Sequence, residues 1–340
     1  MARHHPRSPT ITDVARLADV SITTVSFVLN ETTERSIADE TRRRVRAAAE
    51  ELGYRPNAAA KVLRTKRSHT IGFVADEVAS TPFAGNTIRG ARDAAWEHGK
   101  VLIVAETGYD AAVAASAVDE MLERRVEGLI FAAKYHRPVA PPPTAAHLPT
   151  VLLDCVAVDR SLPSVVPDEA GGGWTATEAL VRKGHRRVGL INLGPGIPAS
   201  TGRLDGYAAA LQRHGLPFDP ALVRYTDSEV PGRGYAAALD LLALNDPPTG
   251  IFCGNDRTAM EVYDAVKERG LRIPDDVAVV GFDDMEIIAA HLRPPLSTVA
   301  LPHYEMGRWA VEYLIRNPEP TGGEPVQHLM PCPYVERASV

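Results

Sequence analysis

The sequence predicts an α/β protein headed by a small all-α unit, and three observations carry that prediction. From Thr70 onward, short apolar segments alternate with stretches of helical period. From Arg187 onward the same plan starts again, and residues 1–56 read as three short helices with no strand between them. Strands alternating with helices form a mostly parallel sheet covered on both faces, and two such runs give two lobes.

The 340-residue length suits two or three domains, and 45% hydrophobic with 24% charged residues is the composition of a folded globular chain. The net charge of -6 conceals an asymmetry. Residues 1–67 hold 13 Lys and Arg against 8 Asp and Glu, a net of +5, while the remainder holds 24 against 35, a net of -11. A basic head on an acidic body fits a polyanion-binding module joined to a domain that avoids the same polyanion, although a solvated helix would give the same composition. Cys155, Cys253 and Cys332 have no paired spacing, so neither a disulfide framework nor a cysteine metal site is indicated, and a reducing cytoplasm fits. Met1 to Thr10 is polar and charged, and no later run approaches the ~20 apolar residues of a membrane span. Neither export nor membrane insertion is expected.

Thr10 and Asp13 have the spacing of a capping box, which starts a helix from Ile11 to Ala18. Asp19-Val20-Ser21 interrupts it, and Ser21 is placed to cap a second helix reaching to about Leu29. Two short helices joined by three residues form a helix-turn-helix, with Val14, Ala15, Val20, Val25 and Leu29 placed to pack on each other and on a third helix. That third helix, Asp39 to Leu52, gathers Val45, Ala48, Ala49 and Leu52 on one face, carries Arg42, Arg43, Arg44 and Arg46 elsewhere, and stops at Gly53. After Pro56, Asn57 begins a short helical stretch to Arg64, too short to hold in water without a partner.

In the first α/β run, Thr70 to Ala75, Val101 to Ala105, Gly128 to Ala132 and Pro149 to Asp154 read as strands, with helices at Thr87 to Gly99 and Val113 to Arg125 and a proline-rich loop from Pro138 to Pro143. In the second, Arg187 to Ile191, Thr249 to Cys253 and Val277 to Gly281 read as strands. Helices are expected at Arg203 to Gly215, Gly234 to Leu244 and Asp256 to Gly270. The halves echo each other: Ile71-Gly72 precedes Gly90-Ala91-Arg92, and Val188-Gly189 precedes Gly206-Tyr207-Ala208 at nearly the same spacing. Two copies of one fold suggest a ligand cleft where strand ends and helix starts converge.

Several weaker signals are set aside. Gly171-Gly172-Gly173 lacks the Lys-Ser/Thr of a phosphate cradle and reads as the start of a helix, and Gly194-Pro195-Gly196 lacks the third glycine of a dinucleotide fingerprint. The 11 histidines show no ligand spacing, and His185 before a strand reads as structural, so no metal and no cofactor are expected.

The strings Thr10-Ile11-Thr12-Asp13-Val14-Ala15, Val20-Ser21, Thr24-Val25-Ser26, Val28-Leu29-Asn30, Leu52-Gly53-Tyr54 and Pro56-Asn57 resemble the LacI family of bacterial transcriptional regulators. The similarity continues through Gly250 to Asp256, Asp275 to Asp284 and Pro295 to Val299, so it covers the whole chain. It implies an N-terminal helix-turn-helix domain (1–56) and a hinge helix with linker (57–67), then a two-lobed periplasmic-binding-protein-like sensor with parallel sheets. The lobes would be 68–161 with 297–317, and 162–296 with 318–340.

By position, the resemblance makes the second helix the recognition helix, with Ile22, Thr23 and Phe27 at base edges and Thr24 and Ser26 near phosphates. Thr10, Ser21, Asn30, Tyr54, Asn57, Ala60 and Lys61 complete the DNA-contacting set, and Leu63 matches the hinge leucine that wedges into the minor groove; an ordinary connector leucine remains the alternative. Phe27 cannot make a bidentate contact to guanine but can pack on a thymine methyl, so the operator's outer bases are not copied from relatives. Asp19 stands where glycine is common, and aspartate tolerates the left-handed turn. In the sensor, Arg203 and Asp283 match residues that hydrogen-bond the ligand. Asn255, Asp256 and Asp168 lie at nearby strand ends or loops, and Asp76 and Phe83 supply a carboxylate and a stacking face. For Asn255 and Asp256 helix capping is the competing role, and for Arg203 a solvated helix start.

The expected function is that of a cytoplasmic, sequence-specific repressor, a homodimer with tetramers left open, reading a pseudo-palindromic duplex operator. A small effector, a sugar or sugar derivative, would control operator affinity from between the lobes. A solute-binding protein or an α/β enzyme without DNA function, the latter using Asp154 or Asp283-Asp284, is the competing reading. Nothing beside those carboxylates supplies a nucleophile or cofactor.

Overall fold

A computed structural model describes residues 9–29, 37–55, 67–81, 84–226, 230–319 and 324–340. The chain divides into two compact units, Met1–Ser68 and His69–Val340. The expected hinge helix at 57–64 lies outside the described residues.

In the first unit, α1 (Ile11–Leu17) begins with a full capping box: the Thr10 hydroxyl accepts from the Asp13 amide at 3.4 Å, and the Asp13 carboxylate accepts from the Thr10 amide at 2.9 Å. The turn runs through Asp19 at φ 49, the left-handed conformation in which aspartate substitutes for glycine. Ser21 then accepts the Thr24 amide at 3.1 Å and starts α2 (Ile22–Leu29). The third helix, α3 (Asp39–Glu51), ends ahead of Gly53 at φ 63. Val14, Ala15, Val25, Val28, Val45 and Ala48 close a small core, with Tyr54 packed on its margin.

The second unit holds two six-stranded sheets. The first contains β1 (Thr70–Ala75), β2 (Val101–Glu106), β3 (Leu129–Val139), β4 (Thr150–Ala157), β5 (Ser164–Pro167) and β11 (Gln327–Met330), in the order β11-β5-β4-β3-β1-β2. The second contains β6 (Val188–Leu193), β7 (Val223–Thr226), β8 (Gly250–Cys253), β9 (Ala278–Asp283), β10 (Ser297–Ala300) and β12 (Tyr334–Val335), in the order β12-β10-β9-β8-β6-β7. Among the described residues every pairing is parallel except β10 with β12.

Helices cover both faces of each sheet, which is why the central strands are almost continuously apolar. In the first lobe, α4 (Gly85–Glu97) and the late helix α11 (His303–Arg316) bury Phe73, Ile130 and Leu153, and α5 (Ala111–Glu123) covers Val74 and Leu129. In the second lobe, α6 (Glu169–Arg182) and α7 (Pro198–Arg213) bury Leu190, Phe252 and Phe282. On the opposite face α8 (Arg233–Leu242) and α9 (Asp256–Glu268) cover Ile191, Ile251 and Val279, and a short α10 (Glu286–Ala289) follows β9. Each such side chain contributes about 1.5–3 kcal/mol of burial.

The lobe boundaries differ from those expected at 162 and 297. Ser164–Pro167 pairs with β4 and remains in the first sheet; Ser297–Ala300 pairs with β9 and remains in the second; Gln327–Met330 pairs with β5, so only the segment from about Tyr334 returns to the second lobe. Each sheet adds a short strand, β5 or β10, before the chain first leaves it, and β11 or β12 later pairs on its outer side. A four-residue strand looks alike whichever edge it joins, so its membership is set by long-range pairing.

The sequence echo between halves has a packing explanation. Gly90 of α4 lies against the Tyr304 backbone of α11, and Gly206 of α7 lies against the backbone of Ala170 and Trp174 in α6, so a Cβ at either position would collide with main chain. Both helix crossings depend on a missing side chain. Gly90→Ala and Gly206→Ala should each destabilise the sensor unit by about 1–3 kcal/mol, read as a lower midpoint in urea unfolding; a midpoint equal to that of the parent chain would show that the crossings can relax.

Candidate functional site

A cavity of about 600 Å³ lies between the facing strand ends of the two sheets. Sheet order arranges its walls. On the first lobe the sequence across the cleft is Asp154 on β4, the β3 segment Lys134 to His136, Glu77 after β1 and Tyr109 after β2; on the second it is Asp283 on β9, Asn255 after β8, Leu193 at the end of β6 with Gly194, Pro195 and Ile197 after it, and Thr226 on β7.

Arg203 anchors the inner end. It is 3% exposed, donates through Nε to Glu169 Oε2 at 2.8 Å and through Nη1 to the Gly254 carbonyl, and its guanidinium lies 3.8 Å over the Phe282 ring. Burial alone would favour deprotonation, but Glu169 and Asp283 hold this guanidinium more firmly charged than usual. Asp283, at φ 111 beside Asp284 at φ 53, is pushed up to about 7 by burial and by Glu169, against the pull of Arg203 and Arg257. Asp154, at φ 54, is raised well above the ordinary carboxylate range by burial, with Glu169 adding to it. Its Oδ2 lies 4.0 Å from His303 Nε2, and its Oδ1 is buried without a hydrogen-bond partner among the described residues.

The expected effector residues separate into two groups. Arg203, Asn255 and Asp283 all line the cavity. Asn255 also caps α9 by accepting the Thr258 amide at 2.8 Å, so the helix cap sits on the cavity wall. Asp168, Asp256 and Asp76 do not line it. Asp168 caps α6 through the Gly171 amide, and the next residue, Glu169, is the one that reaches the cleft. Asp256, fully buried, accepts from the Thr298 hydroxyl and the Met285 amide, both at 2.7 Å, and so fixes the turn that carries Asp283 and Asp284.

Asp76 has the matching position in the first lobe. Register is lost in β3 between Ala132 and Arg137, so four residues bulge opposite the lone Asp154 of β4. Asp76 accepts the Lys134 amide at 2.8 Å and the Arg137 guanidinium at 2.9 Å, holding that bulge against the cleft. Phe83 lies outside the described residues.

Glu169, His136, Tyr109 and Thr226 were not among the expected residues. They stand at a helix start, in a bulge, after a strand and at a strand end, and these limits cannot be placed from periodicity alone. Asp154, raised above as an acid for an enzyme, carried a readable signal: a carboxylate set in the apolar run Val151 to Val156.

On the first unit, α2 buries Val25 and Val28 and leaves Ser21, Ile22 and Thr23 exposed, Ile22 at 47%. Thr24, Ser26 and Phe27 are half-buried, as are Thr10 and Tyr54. Ser21 and Thr24 also share a hydroxyl contact of 2.9 Å, and Thr10 is engaged with Asp13, so Thr10 and Ser21 have capping duties of their own. Asn30, Asn57, Ala60, Lys61 and Leu63 lie outside the described residues. Among the described residues no cluster could hold a metal ion, and no helix is long and apolar enough to cross a membrane.

Comparison with known proteins gives the same two parts. Residues 10–57 match bacterial regulatory proteins of the lacI family, and residues 177–340 match the periplasmic binding protein-like domain. The chain is 35% identical over 338 residues to the ribose operon repressor of Escherichia coli (strain K12), covering 97% of this chain and 99% of that one. It is 34% identical over 312 residues to the ribose operon repressor of Haemophilus influenzae, covering 91% and 92%. Among solved structures, the lac repressor dimer bound to operator and the anti-inducer ONPF superposes with a TM-score of 0.80 at 27% identity, covering 98% and 99% of the two chains. A CelR–cellobiose complex superposes at 0.66 and 28% identity, covering 98% and 100%. With relatives of this identity along nearly its whole length, the chain belongs to the LacI family of bacterial regulatory proteins, DNA-binding transcriptional regulators and not enzymes.

Proposed function

We propose that this regulator is a cytoplasmic repressor, active as a homodimer on a pseudo-palindromic operator, whose DNA affinity is set by a sugar or sugar derivative held between the sensor lobes. The observation that carries the effector class is the inner cleft: buried Arg203 fixed by Glu169, with Asn255 and Asp283 beside it, presents donors and acceptors in the alternation that vicinal hydroxyls require. Relatives named for the ribose operon and a relative holding cellobiose support the same class. Closure of the lobes on the effector gives the coupling, because a ligand that binds one lobe arrangement more tightly must shift the equilibrium toward it.

For the operator contacts, the exposed Ile22 and Thr23 carry base readout in this proposal, joined by Phe27, with Ser26 and Thr24 toward the phosphates and Leu63, Lys61, Ala60 and Asn57 at the hinge. Ile22→Ala and Thr23→Ala remove no core contact, so each should leave thermal stability within about 0.5 kcal/mol while weakening operator binding by about 1–3 kcal/mol with little change in non-specific binding. A gel-shift titration over salt checks the reading: affinity for any duplex should fall steeply as salt rises, and a flat response would refute DNA binding by this unit.

Asp283 gives the effector a pH dependence. An effector hydroxyl donates to the ionised carboxylate, and with the pKa raised to about 7 that form is scarce at pH 6 and prevalent at pH 8. Effector affinity should therefore rise with pH across this window, by up to about tenfold, as the proton is released. Asp283→Asn should weaken binding and flatten the profile while operator binding without effector persists. This substitution is a cleaner test than Arg203→Ala, which strands Glu169 as a buried unpaired charge and would cost about 3–5 kcal/mol of stability. Calorimetric titration at pH 6, 7 and 8 measures it; an unchanged profile in Asp283→Asn would remove Asp283 from the site.

A further inference from the structure

The cleft extends well beyond its inner end. Four strand ends contribute to each wall, and at a strand spacing of ~4.8 Å the three gaps between them span about 14 Å. A single sugar ring, with its hydroxyls, fills about half of that on ordinary bond lengths. The cavity volume points the same way: about 600 Å³ is in the range of pockets for drug-sized ligands, roughly 300–1,000 Å³.

The outer end has its own chemistry. Thr226, at the end of β7 and 5% exposed, has its hydroxyl buried in the cleft without a hydrogen-bond partner among the described residues. Across from it, Tyr109 is 46% exposed and takes the Arg137 guanidinium on its ring at 5.4 Å, and Glu77 stands 3.2 Å from Lys134 Nζ. Between the two ends, His136 Nδ1 is likewise buried and without a partner among the described residues. Unpaired buried donors and acceptors are costly unless a ligand or water completes them. An aromatic face with a hydroxyl and a carboxylate around it suits the apolar face and hydroxyl rim of a second sugar ring.

We propose that the effector is a disaccharide, with one ring held by Arg203, Asn255 and Asp283 and the second in an outer subsite made by Tyr109 and Glu77 of the first lobe and Thr226 of the second. This rests on the carbohydrate reading of the inner site. The outer subsite sets selectivity by size: it adds affinity for a two-ring ligand and leaves a one-ring ligand unaffected.

Calorimetric titration of the full chain with ribose, glucose and galactose, and with cellobiose, maltose and lactose, tests it. At least one disaccharide should bind about tenfold or more tightly than the monosaccharides, the scale of one or two added polar and stacking contacts. Tyr109→Ala and the near-isosteric Thr226→Val should each reduce that advantage while leaving any monosaccharide dissociation constant within about twofold. Asp283→Asn should weaken both. A monosaccharide that binds as tightly as every disaccharide, or a disaccharide advantage that survives both substitutions, overturns the outer subsite and leaves the sugar reading standing. If no carbohydrate of either size binds, or if only a nucleoside such as adenosine does, the carbohydrate reading fails and the outer subsite with it.

Discussion

The buried guanidinium of Arg203 joins more of the sensor than any other described side chain of the cleft. It ties α7 to α6 through Glu169, to the β8–α9 turn through the Gly254 carbonyl, and to β9 through the Phe282 ring. Helices α6 and α7 approach closely enough for this only because Gly173 brings no side chain against the Arg203 backbone. A charge in so dry a place is tolerable because a carboxylate, a carbonyl and an aromatic face replace much of the lost water, while the side chain still borders the cavity. The same pairing sets the field of the cleft, raising or restraining the proton affinity of Asp154 and Asp283.

Aspartate has three distinct duties here, and sequence reasoning could not separate them. Asp283 faces the cleft; Asp168 caps a helix; Asp76 and Asp256 hold in place the segments that do face it. All four stand at strand ends or helix starts, where one short acidic side chain can accept from a local amide or from a ligand. Which it does depends on a rotation of the backbone by one residue, as the pair Asp168 and Glu169 illustrates. Arg203 was legible because the family resemblance marked its position. Thr226 and His136 carried no such mark, since a threonine on an edge strand and a histidine in a bulge are also ordinary surface residues.

The fold was more legible than the site. Helix starts at Thr10, Ser21 and Asn255 followed from hydroxyl, carboxylate and amide side chains that meet nearby backbone amides, all local chemistry. The central strands followed from apolar runs, and the echo around Gly90 and Gly206 pointed to two copies of one fold, whose equivalent helix crossings the structure supplies. The short strands β5, β7, β10, β11 and β12 were missed, and the expected lobe boundaries at 162 and 297 with them. Four residues carry too little periodicity to be recognised, and their pairing partners are up to 163 positions away, as Gln327 with Ser164 shows.

The three passages of the chain between the sheets have a further consequence for how the molecule is made. The first sheet needs β11 and the second needs β12, so neither lobe has all its strands until residues 327–335 have left the ribosome. The helical unit at the front can fold early, but the sensor must wait with both edges unfinished, and unpaired strand edges are what promote aggregation in nascent chains. The shared connections that tie the two lobes together also make their completion a single, late event.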